Sequence, residues 1–164
     1  MTPQRVSPIV ASPAKLSMAE ARESLGMADD SLRPRFGVKG AAAGTWLAQQ
    51  GLPVPERFNS WLELSGTDFI ARLGRHEYLV EGAHAAALEH ATSCLPDDVY
   101  PVPRDDAALL LCGRKLPALL RQTCNVNFAA LDVQAKPVLL TSMVGVSVLI
   151  LPALHSGAPF YRVW

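Results

Sequence analysis

The 164-residue sequence predicts an α+β fold in which one strand–helix–strand–strand unit occurs twice. FGVKGAAAGTWLAQQG (36–51) has the pattern of a strand that turns into a helix at Gly40, and LLLCGRKLPALLRQT (109–123) repeats it at Gly113, 73 residues later. Runs with the alternation and turn residues of antiparallel strands follow each helix. A repeated β-α-β-β unit is typical of a duplicated ferredoxin-like architecture.

The chain is predicted to divide into an N-terminal part and one domain. Residues 1–32 are predicted as an arm followed by a short helix, because the first 13 residues hold three prolines and little hydrophobic periodicity. The remaining residues, 33–164, are predicted as a single domain. Its two repeats span about 35–97 and 105–164.

A short helix is predicted between the arm and the first repeat. Ser17 is a suitable N-cap residue, and Glu20 three positions later completes the signature of a capping box. The helix is expected to end near Gly26, and the polar residues that follow it are expected to form a connection up to Pro34.

The first repeat is predicted to begin with a strand over 35–39 and a helix over 41–50. Ala43, Trp46 and Leu47 recur at the spacing of one helical face. The next three predicted strands lie in FNSWLELSG, DFIARLG and HEYLVEG, with glycine-containing turns between them. They are followed by a helix over 83–95 that buries Ala87, Leu88, Ala91 and Leu95, and by an extended edge segment, VYPVPRD.

The second repeat is predicted from the same signals at the same offset. The strand in DAALLLCG leads into a helix at about 115–124, in which Pro117 suits the first turn. At the 73-residue offset, the apolar helix positions of the first repeat coincide with Leu116, Leu119 and Leu120. Three further strands are predicted at 138–143, 146–151 and 159–164.

The most apolar stretch of the chain is VLLTSMVGVSVLILPAL (138–154). A membrane-spanning helix needs about 20 apolar residues, and this shorter stretch is interrupted by polar residues and by Gly145. We therefore interpret it as two buried strands joined by a turn, and we expect no membrane segment.

Composition and charge exclude several classes of protein. Hydrophobic residues make up 49% of the chain, which indicates a large core, a partner interface or both. The 15 basic and 15 acidic residues balance, so no basic surface is expected to attract nucleic acid. The three cysteines form no C-x-x-C motif, and the N-terminus has no apolar signal segment. We expect reduced thiols and a cytoplasmic protein.

No complete catalytic or metal-binding motif is present. Residues 36–44 have the spacing G-x-x-G-x-x-x-G, a weak match to a dinucleotide-binding loop in which Glu63 would contact the ribose. The four histidines form no zinc motif. Asp105 and Asp106 are neighbours on a predicted strand entrance, so their side chains would point in opposite directions and make a poor acid–base pair. We therefore predict no catalytic, cofactor-binding or metal-binding residues on this chain.

The aromatic residues are the best candidates for a contact with a partner. Tryptophan and tyrosine are enriched among the residues that anchor protein interfaces, although burial in the core is the simpler interpretation. The candidate interface residues are Trp46, Trp61, Phe160, Tyr161 and Trp164.

Two long stretches resemble a known family. RFGVKGAAAGTWLAQQGLPVPERFNSW and IARLGRHEYLVEG are similar to the gamma subunit of heterotetrameric sarcosine oxidases. LLLCGRKLPALLRQTCNVNF and the strands after it resemble the related folate-binding domain of aminomethyltransferases, the T-proteins of glycine cleavage. The resemblance covers roughly residues 33–164 and implies a folate-binding-domain-like fold.

The resemblance implies a small accessory subunit of a flavin-dependent complex that oxidatively demethylates N-methyl amino acids. In that family FAD, FMN, NAD and tetrahydrofolate are bound by the larger alpha and beta subunits, so this chain is expected to carry no cofactor and no active site. No aspartate here matches the folate-binding position of the family.

Two other functions stay open at this point. One is a stand-alone tetrahydrofolate-binding protein of the aminomethyltransferase type, active in one-carbon metabolism. The other is a dinucleotide-binding enzyme that uses residues 36–44.

Overall fold

The computed structural model describes residues 6, 7, 9 and 16–164, apart from the side chains of residues 93 and 94. Most of the predicted N-terminal arm lies outside the described residues. The chain forms two compact units. We call Arg33–Arg104 the central unit, and the residues up to Leu32 together with Asp105–Trp164 the split unit. Each unit combines helices with an antiparallel sheet, which confirms the predicted α+β class.

Four α-helices and eleven strands lie in the described part of the chain. In chain order they are α1 (Met18–Glu23), β1 (Gly26–Asp29), β2 (Arg35–Lys39), α2 (Ala43–Gln49), β3 (Ser60–Glu63), β4 (Phe69–Arg72), β5 (Glu77–Glu81), α3 (Ala83–His90), β6 (Tyr100–Val102), β7 (Leu109–Cys112), α4 (Leu116–Thr123), β8 (Leu139–Met143), β9 (Val146–Leu151), β10 (Leu154–His155) and β11 (Ala158–Val163). Short 3₁₀ turns follow α3 and α4.

The central unit is a five-stranded antiparallel sheet in the order β3-β4-β5-β2-β6. Alternate residues of β2, among them Phe36 and Val38, point to the face on which α2 and α3 pack. There they form a core with Trp46 and Leu47 of α2 and Leu88 of α3. The helical face predicted from the sequence is therefore the buried face of α2.

The split unit is an antiparallel sheet in the order β1-β7-β11-β9-β8, with the short β10 paired to the first two residues of β11. Its core joins α4 to one face of the sheet. Leu116 and Leu120 of α4 are fully buried against Leu111 of β7, Ile150 of β9 and Tyr161 of β11.

The N-terminal segment was predicted correctly at its start and wrongly at its end. Ser17 caps α1, and its hydroxyl and the carboxylate of Glu20 form both halves of the capping box, as predicted. The helix, however, ends at Glu23. Residues 26–29, which were predicted to be the helix end and part of a connection, form the strand β1 instead. These residues belong to the split unit, because β1 pairs with β7.

The helix predicted over 83–95 is shorter than expected. It ends at His90 and continues as a 3₁₀ turn over Ala91–Cys94. Ala87, predicted to be buried, is exposed, and Ala85 is buried in its place. The remaining predicted strands and helices lie within a few residues of their predicted positions.

The apolar stretch 138–154 contains the β8–β9 hairpin, as predicted. Met143 and Val146 pair on either side of a two-residue turn, and Val144 and Gly145 both have positive φ, of 51° and 78°. This is the geometry of a tight type I′ turn. The strands are only partly buried, since Leu140 is 61% exposed. No helix in the described part of the chain has the length and hydropathy needed to cross a membrane.

The turn predicts a stabilising substitution. A β-branched residue is strained at positive φ, whereas Asn followed by Gly is the preferred pair in this turn. Val144→Asn is therefore expected to raise the free energy of unfolding by about 1 kcal/mol, measured by urea denaturation.

The control is Val146→Asn, which places the same residue at an exposed strand position two residues away. It is expected to leave stability unchanged or to lower it. A gain at position 146 equal to that at position 144 would contradict the explanation.

Candidate functional site

The strand–helix joint at Gly40 was the candidate phosphate loop. Gly40 has φ of 127° and donates its N–H to the carbonyl of His76 at 2.9 Å. The N–H groups of Ala42 and Ala43 donate to the carbonyls of Asp98 and Gly40, at 3.3 and 3.0 Å. A Cβ on Gly40 would lie 1.9 Å from the Asp98 carbonyl oxygen. The joint is therefore occupied by protein backbone.

The joint at Gly113 in the split unit has the same geometry. Gly113 has φ of 111°, and its N–H donates to the carbonyl of Pro159 at 3.0 Å. The N–H of Lys115 donates to Ser24, and that of Leu116 donates back to Gly113. A Cβ on Gly113 would lie 2.4 Å from the carbonyl oxygens of Ala21 and Ser24.

Close packing against backbone carbonyls explains why a glycine is present at each of the two joints. A phosphate loop offers free N–H groups and an open concave surface to its ligand. At Gly40 the N–H groups of three residues are already bonded to carbonyls, and a carbonyl oxygen fills the space above the glycine. The dinucleotide-binding interpretation of residues 36–44, with Glu63 as a ribose ligand, therefore loses its basis.

The close approach at Gly40 predicts a large loss of stability on substitution. Gly40→Ala is expected to lower the free energy of unfolding by more than about 4 kcal/mol, because the Asp98 backbone must move as well as the strained residue. Gly51→Ala is the matched control, since Gly51 also has positive φ but open space around it. It is expected to cost only about 1 kcal/mol. Equal losses in chemical denaturation would contradict the explanation.

A group of charged and polar side chains in the central unit surrounds Asp68. We call Arg33, Thr67, Asp68, Glu81 and His84 the Asp68 cluster. Arg33 Nη2 donates to Asp68 Oδ1 at 2.9 Å and to Thr67 Oγ1 at 2.8 Å. Arg33 Nε lies 3.3 Å from Glu81 Oε1, and His84 Nδ1 lies 3.1 Å from Asp68 Oδ2.

The sheet and α3 bring this cluster together. Asp68 directly precedes β4, and Glu81 ends β5, where it is fully buried opposite Arg35 and Phe69 in the strand ladders. Gly82 then caps α3 without a side chain. A Cβ there would lie 1.9 Å from Asp68 Oδ1, so only glycine allows the carboxylate to approach.

Asp68 performs the capping that Gly82 cannot. Its carboxylate accepts hydrogen bonds from the backbone N–H groups of Ala83 and His84, which are the first donors of α3. Burial by itself raises the pKa of Asp68. The hydrogen bonds from His84 and Ala83 and the charge of Arg33 outweigh burial and hold this pKa below its usual value. Asp68 is therefore ionised at neutral pH.

The cluster also orients one imidazole ring. Asp68 fixes Nδ1 of His84, whose side chain is 38% exposed. An imidazole held in this way is suited to proton transfer when a substrate is placed beside it. Sequence reasoning did not join His84 to Asp68, because the two lie 16 residues apart and meet only through the strand register. The one local signal is a glycine at the N-cap position of α3.

The candidate interface residues divide into two groups. Trp46, Trp61 and Tyr161 are each only 4% exposed, so they are core residues and not surface anchors. Burial also raises the pKa of Tyr161. Phe160 and Trp164 are partly exposed and stay candidates for a partner contact.

The other candidate residues form no site among the described residues. His76, His90 and His155 are exposed, and the described histidine, cysteine and acidic side chains contain no group of three suited to a metal ion. Asp105 and Asp106 are exposed. Cys112 and Cys124 are free thiols, as predicted, while the side chain of Cys94 lies outside the described part.

The charge of Asp68 predicts a pH-dependent effect. Asp68→Asn keeps an oxygen that can cap α3 but loses the ion pair with Arg33, so it is expected to lower the free energy of unfolding by about 1–3 kcal/mol at pH 7. Because the folded-state pKa is lowered, the stability that the carboxylate contributes is present above its unfolded pKa of about 3.9. It is lost as the pH falls through the folded-state pKa, so the variant and the wild type should converge below about pH 4.

The measurement is urea denaturation of both proteins across this pH range. Asp97→Asn is the control, since Asp97 is exposed in the same unit. A constant difference between wild type and Asp68→Asn at all pH values would contradict the contribution of the ionised carboxylate.

Comparison with solved structures finds the two proteins that the sequence resembles. A chain of the heterotetrameric sarcosine oxidase from Corynebacterium sp. U-96, in complex with pyrrole 2-carboxylate, superposes with a TM-score of 0.65 and 17% identity. The match covers 88% of this chain and 80% of that one. The glycine cleavage system aminomethyltransferase T from Bartonella henselae matches with a TM-score of 0.56 and 17% identity, over 87% of this chain.

These similarities establish the fold that the chain shares with both proteins. The chain spans 42% of the aminomethyltransferase but most of the matched sarcosine oxidase chain. No protein-family model matches the sequence, and no curated protein is significantly similar to it.

Proposed function

We propose that this chain is a non-catalytic accessory subunit, of the gamma type, in a flavin-dependent complex that oxidatively demethylates N-methyl amino acids. The observation that carries the proposal is the structural match to one chain of a heterotetrameric sarcosine oxidase. The match takes in 88% of this chain and 80% of that chain, so the matched chain is only slightly longer than this one. Because this chain is similar in length and fold to that subunit, we infer that it occupies the corresponding place in such an assembly.

The proposal includes a duplicated ferredoxin-like architecture. In the central unit the strands β6-β2-β5-β4 are neighbours in that order, and in the split unit the strands β1-β7-β11-β9 are. In each case the second strand of the series, β2 or β7, leads into a strand–glycine–helix joint, at Gly40 or at Gly113. The two units share the same strand order and the same kind of strand–glycine–helix joint, which supports descent from one repeated unit.

We place the cofactors of the complex on its larger subunits. FAD, FMN, NAD and tetrahydrofolate would be bound by the alpha and beta flavoprotein subunits, which are the proposed partners of this chain in a cytoplasmic hetero-oligomer. The backbone-filled joints at Gly40 and Gly113 support this assignment, because neither leaves room for a phosphate. Phe160 and Trp164 are the remaining candidates for the contact with a partner.

The proposal is tested by capture from the source cell. The full-length chain, carrying an affinity tag, should bring down two or three larger chains and the yellow absorbance of flavin. Phe160→Ala should reduce the capture, whereas Tyr100→Ala, an exposed aromatic residue of the central unit, should not. Recovery of a colourless single chain would contradict the proposal.

A second candidate is a stand-alone tetrahydrofolate-binding protein of the aminomethyltransferase type. It is favoured by the match to aminomethyltransferase T over 87% of this chain. Calorimetric titration of the purified chain with tetrahydrofolate decides between the two functions. Saturable binding at equal stoichiometry supports the second candidate, and absence of heat at millimolar ligand excludes it.

A further inference from the structure

The segment that contains α1 and β1 is separated in sequence from the rest of its unit. We call residues 16–32 the donor segment. It is followed directly by the central unit, and the split unit resumes only at Asp105. Even so, β1 pairs with the edge of β7 over its whole length, from Gly26 opposite Cys112 to Asp29 opposite Leu109. The donor segment therefore completes a sheet whose other strands come from the far end of the chain.

The end of α1 is bonded to the joint that precedes α4. The backbone N–H groups of Arg114 and Lys115 donate to the carbonyls of Arg22 and Ser24, both at 2.9 Å. Arg22 Nη2 donates to the carbonyl of Ser156 at 3.1 Å. These contacts satisfy carbonyls at the end of one helix and N–H groups at the start of another.

The bonding continues past β1 into the connection that follows it. The N–H of Asp30 donates to the carbonyl of Ala108 at 2.8 Å, and the N–H of Ala108 donates to the hydroxyl of Ser31 at 3.0 Å. Ser31 is buried, whereas the next residue, Leu32, is 58% exposed. The donor segment is thus held to the split unit along its length and leaves it at Leu32.

The contact depends on small residues at three positions. A Cβ on Gly26 would lie 2.7 Å from the Cβ of Ala21 and 2.9 Å from the sulfur of Cys112. A Cβ on Gly113 would lie 2.4 Å from the carbonyl oxygens of Ala21 and Ser24. A helix–strand segment with larger residues at the positions of Ala21 and Gly26 would not fit.

From these contacts we infer that the β7 edge, with the Gly113 joint, is a strand-acceptor site for a helix–strand peptide. The site binds the donor segment by backbone pairing and close packing, as in strand addition to a sheet edge. The covalent link to the central unit is not required for this binding. The ligand class is a peptide that forms a capped helix followed by an extended strand, with small residues at Ala21 and Gly26.

The test uses the full chain with a protease cleavage sequence inserted between Leu32 and Arg33. After cleavage the N-terminal fragment should stay bound and co-elute with the rest in size-exclusion chromatography. A fluorescent peptide of residues 16–32 should then exchange into the cleaved protein, saturably and at one peptide per chain. Separation of the fragments, aggregation of the cleaved protein or failure of the peptide to exchange would overturn the inference.

Matched variants show whether the packing described above determines binding. The peptide with Gly26→Val should bind at least about tenfold more weakly. The peptide with Met27→Val should bind as the wild type does, since Met27 is 66% exposed. In the chain, Gly113→Ala should release the fragment after cleavage. Gly145→Ala should not, since Gly145 also has positive φ but open space around it. Equal binding of both peptides would overturn the inference.

Discussion

Much of this structure depends on the contact of a backbone carbonyl with a glycine at each strand–helix joint. At the first joint the Asp98 carbonyl lies against Gly40 and accepts a hydrogen bond from the N–H of Ala42. At the second joint the Ser24 carbonyl lies against Gly113 and accepts a hydrogen bond from the N–H of Lys115. Asp98 is two residues before β6, and Ser24 is two residues before β1. One contact therefore starts a helix and also sets the position of an edge strand. The left-handed backbone and the lack of space both require glycine, so the constraint is steric and does not depend on a ligand.

The Asp68 cluster shows how one charged group can stabilise the fold and also orient a side chain that is suited to proton transfer. The carboxylate caps α3 because the N-cap residue has no side chain, and it orients His84 by the same oxygen that accepts from the helix backbone. Arg33 pairs with both Asp68 and the fully buried Glu81, which compensates the cost of burying these charges. The arrangement is sufficient to explain why these residues are charged, without a substrate. Its partly exposed imidazole is nevertheless held in one orientation by the carboxylate of Asp68.

The sequence predicts those features that depend on neighbours along the chain. The capping box of α1, the apolar face of α2 and the turn at Gly145 are local patterns, and the structure confirms them. β1 was missed because GMAD has no strand propensity of its own and is extended only because β7 pairs with it. The Asp68–His84 contact was missed because it depends on strand register. Three of the five aromatic candidates, Trp46, Trp61 and Tyr161, lie in the core, because composition does not distinguish a tryptophan in the core from one at a surface.

The discontinuity of the split unit has a consequence for the order of synthesis. Because chains are made from the N-terminus, the central unit is complete before the ribosome adds any of β7, β11 or β9. Throughout that time β1 has no partner strand. The pairing of Gly26 with Cys112 closes a loop longer than the whole central unit, a contact of high sequence separation that forms late. The newborn chain therefore carries this segment unpaired until β7 has been made, and it is in this interval that a chaperone would act on it.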